Sequence, residues 1–103
     1  MANEGYHEDE TRLRPETKDM HRAITSLMEE LEAVDWYNQR IDACEDDVLA
    51  RILAHNRDEE KEHAAMVLEW IRRKDRSFDE QLRVYLFSDT ALDDELSETG
   101  HDA

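Results

Sequence analysis

The chain has 103 residues, which is enough for one small domain. It carries 28 acidic and 13 basic residues and a formal charge of −15, which argues against binding to nucleic acid or to an anionic membrane and favours attraction of cations. Two glycines and one proline are too few for a turn-rich β fold. The single cysteine, Cys44, excludes a disulfide framework within the chain.

No apolar stretch approaches the roughly 20 residues that a membrane span needs. The first ten residues are polar and acidic, without the apolar segment that is typical of a secretory signal. We therefore expect a soluble protein of the cytoplasm.

Residues 1–14 are mostly charged and are predicted to form a flexible acidic arm. Pro15 suits the first turn of a helix, and neither glycine nor proline interrupts the chain from there to Ala43. Apolar residues recur along this stretch at the spacing of one helix face. They are Met20, Ala23, Ile24, Leu27, Leu31, Val34 and Ile41. A first long helix of about 28 residues is therefore predicted from Pro15 to the polar break at Asp42–Asp47.

A short polar break precedes a second long helix, which is predicted from about Asp46 to about Arg73. Its acidic start and basic end both suit the helix dipole. Ser77 and Glu80 have the spacing of a capping box and predict a shorter third helix that ends near Phe87.

The predicted fold is all-α. A two-helix antiparallel hairpin and a short C-terminal helix form one helical domain over 15–87, and residues 88–103 form a disordered acidic tail. Each long helix has an apolar stripe, but a lone hairpin has no second layer to bury it. Because two hairpins together make a four-helix bundle, we expect an obligate dimer or a larger oligomer.

Charged residues interrupt these stripes in the middle of both helices. Glu30 lies at the edge of the first stripe, whereas Glu29, Glu32 and Trp36 lie on the opposite face. Four polar residues occupy the middle of the second stripe: Asn56, Glu59, Glu60 and His63. An ionised carboxylate without a partner is costly in an apolar interface, and a bound cation supplies that partner.

Glu60 and His63 form a Glu-x-x-His motif, whose spacing places a carboxylate and an imidazole side by side on one helix face. Glu30 on the neighbouring helix can add a second carboxylate. A di-iron carboxylate bundle needs two such sets from four helices, and two copies of this chain supply them. These ligand types suit iron or manganese, and zinc as well.

Other pairings have similar helical spacing, namely Glu59 with Glu62 or His63, and His55 with Glu59. Spacing alone does not choose among them. The residues on the opposite face of the first helix are most simply solvated or packing groups.

Three segments are familiar: Met28–Tyr37 (MEELEAVDWY), Leu53–Met66 (LAHNRDEEKEHAAM) and Leu68–Arg72 (LEWIR). With Tyr85–Phe87 they closely resemble the encapsulated ferritins, which are ferritin-like cargo proteins of encapsulin nanocompartments. The resemblance covers roughly residues 16–88 without an evident gap. It implies hairpins that pair into a ferritin-like four-helix bundle and assemble into an annular decamer.

The resemblance also implies a ferroxidase that oxidises Fe(II) to Fe(III) with dioxygen at a di-iron centre between two subunits, and a surrounding shell that stores the mineral. The family's ligands match Glu30, Glu60 and His63 of each subunit, which selects Glu60 over Glu59. Tyr37 matches a tyrosine that hydrogen-bonds a ligand.

Glu29 and Glu32 match a weaker metal site at the mouth of the metal route, often occupied by calcium in crystals, and Trp36 matches a tryptophan that lines this route. Cargo proteins of the family usually end in a short targeting peptide. The sequence from Leu92 to Ala103 contains none, so the expected encapsulin partner rests on the remaining resemblance.

Two other functions fit the same sequence. One is a non-enzymatic acidic helical adaptor that docks through Trp36 and the glutamate face. The other is a passive metal buffer or dioxygen carrier built on the same bundle.

Overall fold

A computed structural model describes residues 5–93. Its α-helices are α1 (Pro15–Ala43), α2 (Asp47–Lys74) and α3 (Arg76–Tyr85), preceded by one turn of 3-10 helix at Glu10–Arg12. No strand occurs within the described residues, so the predicted all-α class is confirmed. No helix in this part of the chain is both long and apolar enough to cross a membrane.

The ends of the two long helices follow local chemistry. Helix α1 begins at Pro15, as predicted, and ends at Ala43, two residues into the predicted polar break. Helix α2 begins one residue after Asp46, whose carboxylate accepts hydrogen bonds from the backbone N–H groups of Val48 (2.9 Å) and Leu49 (3.1 Å). Asp46 therefore satisfies two of the amide groups that a helix start leaves unpaired.

Helix α3 starts earlier than a capping box at Ser77 would allow, and that prediction is wrong. Asp75 is the N-terminal cap, because its carboxylate accepts from the backbone N–H of Phe78 (2.9 Å) and from the Ser77 hydroxyl (3.1 Å). The helix ends at Tyr85, two residues before the predicted end. Phe87 has a φ of 59°, which is outside the helical range.

The chain divides into two compact units, Met1–Ile71 and Arg72–Ala103. In the first unit, Asp9 caps the 3-10 turn through a 3.0 Å bond from the Thr11 N–H, and the rings of Tyr6 and His21 lie 5.0 Å apart. Residues 1–4 of the predicted arm and 94–103 of the predicted tail lie outside the described residues.

Contacts within the first unit join α1 to α2 as antiparallel neighbours: Asn38 bonds Arg57, and Glu30 meets His63. In each helix one row of less exposed residues recurs at alternating steps of three and four, the spacing of a coiled-coil seam. The seam of α1 is Met20, Ala23, Leu27, Glu30, Val34, Tyr37 and Ile41. The seam of α2 is Ala50, Leu53, Arg57, Glu60, Ala64, Val67 and Ile71.

Much apolar surface of the hairpin stays exposed in a single chain. Leu31, which belongs to the first predicted stripe, is 55% exposed, and Ile52 on α2 is 52% exposed. Only Ala64 and Ile71 are fully buried among the described residues. The stripes thus have two parts: the seam closes the hairpin, and the remainder faces outward, as the expected association of two chains requires.

Candidate metal centre

Glu30, Glu60 and His63 meet between α1 and α2. The Nδ1 atom of His63 lies 3.5 Å from Glu30 Oε2 and 3.6 Å from Glu60 Oε2. One potential ligand atom from each residue lies within 4.8 Å of the other two. Within residues 5–93 no other group of three or more His, Cys, Asp or Glu side chains meets this criterion.

Helix geometry explains why these three side chains lie close together. Glu60 and His63 are three residues apart, so their side chains rise from the same face of α2. Glu30 and Glu60 both occupy seam positions, which point toward the opposite helix. Two small residues, Ser26 and Ala33, line the same cleft and leave it open beside the carboxylates.

Glu30 is the electrostatically strained member of the cluster. Its side chain is 18% exposed, and its buried Oε2 atom accepts no hydrogen bond. Burial and the nearby Glu60 carboxylate raise the pKa of Glu30, although the His63 imidazole opposes the shift. His63 itself is 47% exposed, so the cleft communicates with solvent.

A divalent cation fits this donor set. The cluster offers carboxylate oxygens and one imidazole nitrogen, the ligand types that iron, manganese and zinc accept. No Lys or Arg lines the cleft, so the cleft has no fixed cation of its own. A bound metal would give Glu30 Oε2, which accepts no hydrogen bond, a charged partner.

The residues of the other predicted pairings, His55, Glu59 and Glu62, do not line the cleft. His55 and Glu59 pair with each other at 3.5 Å on an exposed surface, where the His55 side chain is 72% exposed. Glu62 is also exposed. The structure therefore brings Glu60, rather than Glu59, to Glu30 and His63.

The other predicted site residues are more dispersed. Glu29 is exposed but lies at the rim of the same cleft, closer to the cluster than an opposite-face position suggests. Glu32 is half-buried and does not line the cleft. Trp36 is 49% exposed, and Tyr37 lies in the seam; the Arg40 guanidinium lies 5.8 Å and 5.4 Å from their ring centroids.

Sequence reasoning overlooked Arg57. The four polar positions predicted in the second apolar stripe do not include Arg57, which occupies a seam position one turn before Glu60. The sequence signal for Arg57 was its place in the three–four alternation of α2, where an apolar residue is expected.

An antiparallel helical hairpin with carboxylates and an imidazole in mid-seam defines the chain as a ferritin-like protein of the all-α class. The sequence model of the EncFtn-like family matches residues 5–89, and the chain belongs to this family, the encapsulated ferritins.

Curated relatives support the same family. The chain is 64% identical over 89 residues to an encapsulated ferritin-like protein of Rhodospirillum rubrum, with 86% of this chain covered. It spans only 64% of that relative's length. It is also 50% identical over 99 residues to a ferritin-like protein of Thermotoga maritima, covering 96% of this chain and 86% of the relative.

A solved structure shows the same fold. The crystal structure of a protein from Nitrosomonas europaea superimposes with a TM-score of 0.83 at 64% sequence identity. The alignment covers 86% of this chain and 98% of that one.

Proposed function

We propose that the chain is a ferroxidase subunit that binds Fe(II) as substrate through Glu30, Glu60 and His63. The observation that carries the proposal is the cluster itself, in which a buried, unbonded Glu30 oxygen lies beside a second carboxylate and an imidazole. Such a group is costly when empty and becomes favourable when a cation is bound.

The working centre is shared by two chains. One chain offers two carboxylates and one imidazole, which is half of the set that a di-iron bundle uses. The outward apolar residues around Leu31 and Ile52 supply the surface through which a second copy packs. We propose this dimer as the catalytic unit and, from the family resemblance, an annular decamer as the complete assembly.

The chain's own groups prepare the site for two irons. Glu30 binds metal as an ionised carboxylate. Burial and the Glu60 carboxylate raise the pKa of Glu30 because they disfavour that ionised form, and a bound cation would offset this cost. His63 contributes a neutral nitrogen, and Glu60 balances the metal's charge. Each Fe(II) gives one electron to dioxygen, and two irons held together supply two electrons at once.

Glu29 is proposed to receive iron at the mouth of the cleft, where it lies beside Glu30. Glu32 and Trp36 complete this access route in the family resemblance, and calcium is an alternative occupant. Tyr37 is proposed to hydrogen-bond a metal ligand. We expect Glu32→Ala to change the initial oxidation rate without changing the number of irons bound per dimer.

An encapsulin shell is the proposed partner, and the interior of such a compartment in the cytoplasm the proposed location. The relative from Rhodospirillum rubrum is described as encapsulated. Ferric product would then be stored by the shell. Copurification of the full-length protein with a coexpressed shell protein tests this partner, and recovery of the two proteins separately would contradict it.

An anaerobic Fe(II) titration followed by exposure to air tests the ferroxidase proposal. A ferroxidase binds two irons per dimer, then consumes dioxygen and develops ferric absorbance over repeated additions. A metal buffer binds iron without turnover, and an adaptor binds no stoichiometric iron. Either of the last two results would overturn the proposal.

A further inference from the structure

Arg57 is a charged residue built into the seam between the two long helices. It lies between Leu53 and Glu60 in the three–four alternation of α2, and its side chain is only 24% exposed. Seam positions of this kind ordinarily hold apolar side chains that pack without directional preference. A guanidinium at this position calls for a defined partner.

The partner lies on the opposite helix. Arg57 Nη1 donates a 3.1 Å hydrogen bond to Asn38 Oδ1 on α1. The Nε atom donates a second bond of 3.1 Å to Asp58 Oδ1, and Lys61 also contacts Asp58 at 3.3 Å. Because the guanidinium is planar and its donors have fixed directions, the bond to Asn38 is satisfied at one relative height of the helices.

The metal cluster depends on that same height. Glu30 comes from α1, whereas Glu60 and His63 come from α2. Sliding one helix by a single residue moves it about 1.5 Å, whereas a productive site tolerates only about 0.5 Å. Apolar seam contacts oppose such sliding weakly, but a polar residue in a seam that bonds to the opposite helix favours one register.

We propose that Arg57, with Asn38 as its acceptor, is a positioning pair that sets the register at which Glu30 meets Glu60 and His63. This proposal rests on the proposed function, because it concerns the same metal site. Arg57 does not bind the metal itself; it acts by fixing the placement of the two helices.

Co²⁺ binding to the purified full-length protein tests the pair without using iron oxidation. The Co²⁺ affinity and the visible Co²⁺ spectrum, which reports ligand geometry, are measured for the wild type, Arg57→Met and Asn38→Leu. We expect each variant to bind Co²⁺ about tenfold more weakly and to show an altered spectrum. Asn38→Asp should retain wild-type binding, because a carboxylate accepts the same guanidinium bond.

Two further variants separate positioning from general effects. Arg51→Met makes the same chemical change at an exposed position of α2 and should leave Co²⁺ binding unchanged. The double variant Arg57→Met with Asn38→Leu should bind no more weakly than either single variant, since both remove one shared contact. A purely stabilising role would lower the Tm but leave the Co²⁺ affinity and spectrum unaltered.

Wild-type affinity and spectrum in Arg57→Met and Asn38→Leu would overturn the positioning role, as would additive losses in the double variant. If Arg57→Met does not fold, Co²⁺ binding by Asn38→Leu, at an exposed position, tests the proposal by itself. His63→Ala separates the two proposals. If it binds Co²⁺ as the wild type does, the proposed metal site fails; if it loses binding while Arg57→Met does not, only the positioning role fails.

Discussion

Glu30 Oε2 lies 3.5 Å from His63 Nδ1, across the gap between the two helices of the hairpin. The two residues belong to different helices, so contacts between the helices bring them together. Glu30 Oε2 and Thr25 Oγ1 are the buried side-chain atoms without a hydrogen bond among the described residues, and only Glu30 is a carboxylate, so this contact is the natural place for a cation.

Removal of the imidazole should abolish catalysis. His63→Ala is expected to reduce Fe(II) oxidation to the rate of free iron, because the site loses its only nitrogen ligand, and Glu30→Ala should do the same. Stopped-flow ferric absorbance measures both. His55→Ala is the matched control, since this exposed histidine lies on the same helix and pairs only with Glu59 among the contacts seen. Rapid oxidation by His63→Ala would contradict the assignment.

Neutralisation of Glu30 should separate stability from function. The pKa of Glu30 is raised by burial and by Glu60, so its ionised form is disfavoured in the folded state. That cost is present at neutral pH and disappears as the pH falls below the unfolded carboxyl pKa of about 4.3. Glu30→Gln should therefore raise the metal-free Tm at pH 7 by a few degrees while abolishing metal binding.

The stability gain of Glu30→Gln should vanish near pH 4, where the wild-type carboxyl is protonated in the unfolded state as well. Glu62→Gln is the control, because Glu62 is exposed on the same helix. Thermal unfolding followed by circular dichroism provides the measurement. A lower Tm for Glu30→Gln at pH 7 would show that the carboxylate is stabilised by partners in the metal-free protein.

Metal should promote assembly, because the proposed ligands come from two chains. Fe(II) added without oxygen is expected to shift the protein from smaller species toward dimers and larger rings in native mass spectrometry. Ile52→Asp should prevent this shift by placing a charge on the exposed apolar surface. His63→Ala should keep its metal-free distribution and not respond to metal. An unchanged distribution in the wild type would count against a shared site.

The C-terminal unit has its own electrostatic anchor. Hydrogen bonds from Arg72 and Arg83 lower the pKa of Asp79. The folded pKa is thus below the unfolded value, so the stabilisation is complete above about pH 3.9 and is lost as the pH falls through the folded pKa. The protection of α3 amides against hydrogen exchange, relative to their intrinsic rates at the same pH, should fall in that acidic range.

Asp79→Asn should produce the same loss of protection at neutral pH, severalfold and confined to α3, because the amide keeps the shape but loses the charge. Asp89→Asn, at an exposed position beyond α3, should leave the exchange rates unchanged. Equal protection of α3 in Asp79→Asn and the wild type would show that the ion pairs contribute nothing to this helix.

The amino-acid sequence by itself determined the long helices, since uninterrupted apolar periodicity and Pro15 act through local geometry. It also placed Glu30 at the edge of one apolar stripe and Glu59, Glu60 and His63 within the other, without choosing between the two neighbouring glutamates. The cap of α3 was misjudged because Asp75 and Ser77 both suit a helix start, and only the backbone path decides which of them comes first.

Tertiary structure alone decided which part of each stripe closes the hairpin. A single periodicity cannot say whether Leu27 or Leu31 faces the neighbouring helix, because the register of two helices depends on contacts far apart in sequence. The same register separates Glu60 from Glu59, carries Glu29 to the rim of the cleft and places Arg57 opposite Asn38. Residue types and helical faces follow from the local sequence. A metal site also requires short distances between side chains on different helices, and only tertiary packing sets those distances.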